Sequence, residues 1–263
     1  MRDRAAFLIG AAIAVLSATS SVRADSIAEN TNFIDKAYAD LLQRSAGAAD
    51  VASGLTSLGG ETRFQFTLSL DTSTEYYRLL VNSYFQDLLG RSPNLTELAS
   101  FTGLLVSNNT DESVQALLAA SAEFYFHGGN TDAGFITALF HDFLKRNPTA
   151  AELAFWETQL GTMTRDQVAS LILGSLVYDT DLVESYYLQF LRRPANSTEL
   201  NSFAADLNGG TMTDEQVIAS LIGTDEYFKL AQASGQAQTP EPRAFVLLAL
   251  GIAALILLRK QLG

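Results

Sequence analysis

Four arginines, Arg44, Arg91, Arg146 and Arg193, recur at intervals of 47, 55 and 47 residues in this 263-residue sequence, and they are the side chains best suited to chemistry. A guanidinium is a rigid fork of donors that can grip a carboxylate or an anionic sugar through two bonds at once. Acids follow at matching spacing: Glu97, Glu152 and Glu199 stand six residues after the last three arginines, and Asp50 stands six after the first. An exposed row of guanidiniums suits the anionic sugars of an exopolysaccharide. A pair of glutamates suits glycoside hydrolysis, provided that one keeps its proton and a cleft holds the sugar. The third assignment is structural: each arginine closes a helix end and pairs with the acid six residues on, or with the Glu of a downstream Ser-x-Glu-aromatic stretch. The helical context around every arginine favours this last assignment, and Arg146 is its test case because Val177 replaces the downstream Glu.

Other chemistries lack material. The sequence has no cysteine and only two histidines, His127 and His141, which leaves little for thiolate, zinc or Ser-His-acid catalysis. The stretch from Asn130 begins like a calcium loop, but its twelfth position is His141 and not a bidentate Glu. No Gly-rich phosphate loop is present, so neither a metal nor a cofactor is expected. Aromatics such as Trp156 fall on apolar helix faces and are expected in the core. In the adjacent pairs Tyr76 and Tyr77, Tyr186 and Tyr187, and Tyr125 and Phe126, one ring of each is expected to face outward.

The elements that position the arginines repeat with them. Ten, six, three and two residues before each Arg stand apolar residues, such as Val81, Phe85, Leu88 and Leu89, on one face of an amphipathic helix. Gly90, Pro93, Pro148 and Pro194 end that helix. A second helix starts at Asn94, Thr149 and Asn196 with the Glu three residues on, the pattern of a capping box; Gly47 with Asp50 is a weaker version. Gly60, Gly161, Gly209 and Gly210 are expected to form left-handed helix ends. A third helix starts at Thr164 and Thr213. Between Ser73 and Leu89, and between Ser175 and Leu191, the helical pattern is unbroken, so one module runs into the next. No period-two alternation appears. The fold class is therefore all-α: four helical repeats of about 47 residues, packed as bundles or as a short solenoid. The units are 33–79, 80–134 with an inserted loop at 127–134, 135–181 and 182–231, preceded by a segment at 25–32 and followed by a flexible linker at 232–239.

The formal charge is −12, and the ends are the basic parts. Outside residues 25–238, six of the basic residues face only Asp3 and Glu241, leaving eleven positive against twenty-seven negative groups in the middle, a net −16. Such a body repels phosphate backbones, so no nucleic-acid role is expected. Residues 1–24 have a basic start, an apolar run and a small-residue exit at Val22 and Ala24, which is the pattern of a secretory signal peptide. At the other end, Pro240, Glu241 and Pro242 precede an apolar run from Ala244 to Leu258 and the basic pair Arg259 and Lys260. The apolar run is short for a membrane span.

This C-terminal order resembles the PEP-CTERM sorting signal of exopolysaccharide-producing Gram-negative bacteria. The resemblance implies that residues 240–263 form a transmembrane sorting tail read by an exosortase-like processing enzyme, after export through the secretion translocon. The repeated pattern of aromatic helix, L-x-R-x-P or L-x-R-x-A, capping helix, Gly turn and S-x-E-Y is similar to the module known as domain of unknown function 4214, over residues 33–231. That likeness implies an exported, non-catalytic structural or interaction module, with matrix polysaccharide or self-association as its partner. Gly54 and Val177 depart from the pattern. The expected function is thus a structural or interaction protein of the cell surface or extracellular matrix, held by its C-terminal helix at least transiently. The alternative is a secreted carbohydrate-active enzyme.

Overall fold

The computed structural model describes residues 26–238, so the signal peptide and the sorting tail lie outside the described residues. Within them the chain is all-helical, as the periodicity predicts, with no strand among the described residues. The first module contains α1 (Ile27–Leu42), α2 (Ala48–Leu58) and α3 (Arg63–Asp71); α4 (Thr74–Leu89) then leads into α5 (Leu95–Val106), α6 (Asp111–Ala119) and α7 (Ala122–His127). The second half repeats the order. It contains α8 (Asp132–Leu144), α9 (Ala150–Leu160), α10 (Arg165–Leu173), α11 (Leu176–Tyr186) extended by a π-helical turn at Tyr187–Leu191, α12 (Ser197–Asn208), α13 (Asp214–Ile222) and α14 (Asp225–Gln238).

Capping fixes most of these boundaries. Asn94, Thr149 and Asn196 take extended backbone angles, and each accepts from a backbone N–H of the next turn while the Glu three residues on reaches back. Thr62 with Gln65 forms a further capping box at α3, and Thr110 caps α6; the sequence reading found only their counterparts Thr164 and Thr213. The left-handed ends fall elsewhere than expected. Gly60 and Gly161 do not have positive φ, although Gly210 does (64°). The left-handed residue is instead the one before each arginine: Gln43 (54°), Gly90 (65°), Lys145 (51°) and Arg192 (58°). Only one of the four is glycine, so three modules carry the strain of a Cβ there.

The insertion is smaller in structure than in sequence. His127 ends α7 and Asp132 to Gly134 already belong to α8, so only residues 128–131 are non-helical. Gly134 passes so close to the Gly128 carbonyl that no side chain fits. The expected linker at 232–239 is also helical as far as Gln238, because α14 packs along α1. Asn32 donates to Gln232 (3.0 Å), and Gln232 donates to the Glu29 carbonyl (3.0 Å). The segment at 25–32 likewise belongs mostly to α1, which Ser26 caps.

The two halves relate by an approximate two-fold. Helix α3 packs along α13, and its counterpart α10 packs along α6. Where α14 meets α1, the Tyr227 and Phe33 rings cross at 88° and 6.0 Å, and Arg63 lies over Phe228. Where α7 meets α8, Phe124 and Phe135 cross at 89° and 6.0 Å, and Arg165 lies over Tyr125. First and last helices therefore meet as neighbouring modules do, and the repeats close into a bundle instead of continuing as an open solenoid. One contiguous apolar cluster runs through it.

Candidate functional site

Each arginine sits just past its left-handed residue, where the chain turns from a module's first helix to its second. Its guanidinium lies over a ring of the helix it ends and bonds acids of later helices. In the second module, Arg91 Nε and Nη2 donate to both oxygens of Glu123 at 2.7 Å, while Nη1 and Nη2 donate to Glu97 at 2.9 and 2.8 Å. Glu97 also accepts from the Asn94 N–H (2.7 Å), so one carboxylate closes a capping box and receives the guanidinium. The Phe85 ring lies beneath at 5.1 Å. Arg193 repeats this with Glu226, Glu199 and Tyr187, and Arg44 with Glu75, Asp50 and Tyr38.

Arg146 is different. It holds Glu152 at 2.9 and 2.6 Å and lies over Phe140, but among the described residues no carboxylate takes its Nε. Val177 stands at the start of α11 where the other modules have their second glutamate.

These contacts set the protonation states. The Arg91 bonds, followed by the Asn94 N–H, hold the Glu97 carboxyl at about 2, and Arg146 with Thr149 does the same for Glu152. Glu199, Glu75, Glu123 and Asp50 are also pulled down, chiefly by their arginines. A carboxyl held this low has no proton to give to a glycosidic oxygen at neutral pH.

A second constellation appears that the sequence reading missed. Asp111 and Asp214 open α6 and α13 and line a cleft of about 590 Å³ with Glu112, Glu215, Asp179 and Tyr77, and among the described residues no Lys, Arg or His lines it. Both aspartates are largely buried, and burial followed by nearby acids raises them: Glu215 acts on Asp111, and Glu112 on Asp214. Asp71, at the end of α3, is wholly buried with no hydrogen-bond partner for either oxygen; burial first and Glu215 next push it up to about 9. The neighbouring Tyr84 hydroxyl offsets part of the rise at Asp111. The only trace in sequence is the shared Thr-Asp-Glu at 110–112 and 213–215, which reads as ordinary capping. Among the described residues no group of three or more acids or histidines is arranged to hold a metal ion.

The aromatic expectations divide. Trp156 is half-buried and packs on the core, with Phe155 exposed beside it. Tyr187 is buried with Tyr186 partly so, and Phe126 faces out, but Tyr76 and Tyr77 are both buried because α4 is enclosed on both sides. His141 is on the exposed side of α8 against Asp142. Pro240, Glu241, Pro242, Arg259 and Lys260 lie outside the described residues, and no described helix is long and apolar enough to cross a membrane.

The fold and the arginine corners define a class of small helical-repeat bundle, without assigning it a reaction. Residues 114–176 and 172–231 each match the family model described as domain of unknown function (DUF4214), a span that runs from within α6 into α14. No curated protein and no solved structure matches the chain.

Proposed function

We propose that the chain is an exported, non-catalytic structural or interaction protein of the cell surface or extracellular matrix, sorted through Pro240, Glu241 and Pro242, the apolar tail and the basic pair Arg259 and Lys260. The observation that carries this reading is the use to which the repeated charges are put. The arginines and glutamates whose spacing suits sugar binding or hydrolysis hold one another, and the repeats form a closed scaffold. The export part rests on the order of signals at the two ends. Translocon and exosortase-like enzyme are then transient partners, and matrix polysaccharide or another chain is the lasting one.

Intact-mass spectrometry of the protein from membrane and extracellular fractions tests the reading. A species beginning at Asp25, ending near Pro240 and found outside the cells is the expected result. Retention of Arg259 and Lys260 in a membrane-bound species would make it a tail-anchored protein.

The enzyme reading moves to a different site, favoured by one observation: the acid-lined cleft holds buried carboxyls, Asp111 and Asp214, whose proton affinity burial and neighbouring acids raise, as a general acid requires. It no longer involves Glu97, Glu152 or Glu199. Release of reducing ends from the producer's exopolysaccharide by the purified protein, lost in Asp214→Asn, would establish it.

A further inference from the structure

We propose that the Nε–Nη2 edge of Arg146 receives a carboxylate from a partner protein segment, in the place that Glu75, Glu123 and Glu226 fill in the other three modules. This deepens the interaction reading above and rests on it. The molecule supplies its own template. In three modules the same edge binds a glutamate through two bonds of 2.6–3.1 Å, delivered from the start of a helix 31 to 33 residues downstream. The third module keeps every other part: Glu152 in its pocket, Phe140 under the guanidinium, Lys145 in the left-handed position and Ser175 capping α11. The α11 start is in place as well, since Tyr178 packs on Phe143 of α8. Only the carboxylate is missing, so the edge is preorganised for one.

Asp181, one turn further along α11, acts on Arg146 through space but makes no ion pair with it. It favours keeping the guanidinium charged without filling the edge.

The surroundings select the partner's chemistry. Val177 and Leu176 are half-exposed at the same helix start (51% and 53%), so apolar surface flanks the cationic edge. A cleft of about 530 Å³ opens at the next residue, Tyr178, lined by Phe143 and Leu182 and also by Asp87, Asp142, Asp181 and Lys145, so the partner's carboxylate belongs at the Arg146 edge and its apolar neighbour on Leu176 and Val177. An acidic side chain with an apolar or aromatic neighbour satisfies both, as Glu123 followed by Phe124 does within this chain. A uronic acid, hydroxylated around its carboxylate, would leave the apolar flank against water. A second copy is a poor donor, because its own Ser-x-Glu starts are already engaged.

Arginine Nε–H resonances of the full-length protein provide the test, with the blocked hexapeptide SAEFYF as probe and sodium glucuronate as comparison. Saturable movement of the Arg146 signal by the peptide is expected, with Arg44, Arg91 and Arg193 unmoved. The variant Val177→Glu, which fills the edge from within, should weaken peptide binding at least tenfold and raise the melting temperature by about 2–4 °C. Melting reads the scaffold separately from binding: a raised melting temperature with no peptide response would overturn the docking inference and leave the scaffold standing. Equal movement of all four arginines, undiminished binding to Val177→Glu, or tighter binding of glucuronate than of peptide would also overturn it.

Discussion

At the residue scale the arginine spacing was legible because it carries its partners with it. An acid six residues on is also a capping acid, and a Ser/Thr-x-Glu-aromatic motif recurs 31 to 33 residues later at Glu75, Glu123 and Glu226. What spacing concealed was the conformation beside it. The left-handed residue precedes each arginine, and only Gly90 shows it in its type. Gln43, exposed and with φ of 54°, bears a Cβ penalty of about 1 kcal/mol. Gln43→Gly should therefore raise the unfolding free energy by about that amount in urea, and Gly90→Ala should lower it similarly; unchanged stability in both would show that the turn relaxes without cost.

At the element scale, the starts of α2, α5, α9, α10, α12 and α13 followed from capping patterns, while close approaches between helices did not. Gly54 looked like a lost aromatic in the first module. In the bundle it lies where α2 crosses α1, and even a Cβ would stand 2.8 Å from Ile34 Cδ1. Phe101, Trp156 and Phe203 occupy the equivalent place in the other modules. Restoring the pattern with Gly54→Phe should thus destabilise the protein, by about 3 kcal/mol from overpacking. A stabilised Gly54→Phe in thermal unfolding would mean that α1 and α2 sit further apart. The helical run to Gln238 has the same origin: its small polar residues read as a linker until α1 is seen lying beside them.

At the scale of the whole molecule, the acid cleft exists only because the repeats close. Asp71 faces Glu215 and Asp111 from helices remote in sequence, and the equivalent residue in α10 is the apolar Leu173, so no local pattern announces it. Its consequence is a stability that depends on pH from both sides. Asp71 has a folded-state pKa of about 9 against 3.8 unfolded, so its contribution is complete below about pH 4 and is lost as pH rises towards 9. Asp111 and Asp214, raised by burial and by neighbouring acids, act in the same direction. Glu97 and Glu152, at about 2 against 4.5, contribute above about pH 4.5 and lose that contribution as pH falls towards 2. Stability should peak between roughly pH 4 and 5, and the melting temperature should be lower at pH 8.5 than at pH 5. Asp71→Asn should flatten the alkaline decline; an equally steep decline in that variant would remove Asp71 as its cause.

The most direct measurement is the unfolding free energy of an arginine series, because the central claim is that these charges hold the scaffold and that one corner is left open. Arg193→Gln breaks two ion pairs and should cost about 1–2 kcal/mol, allowing for solvent screening of a guanidinium one-third exposed. Arg146→Gln, with one pair, should cost less than half as much, and should cost the same as Arg193→Gln when Val177→Glu is also present. Equal losses for Arg193→Gln and Arg146→Gln in the otherwise unchanged protein, or no loss in either, would contradict the account.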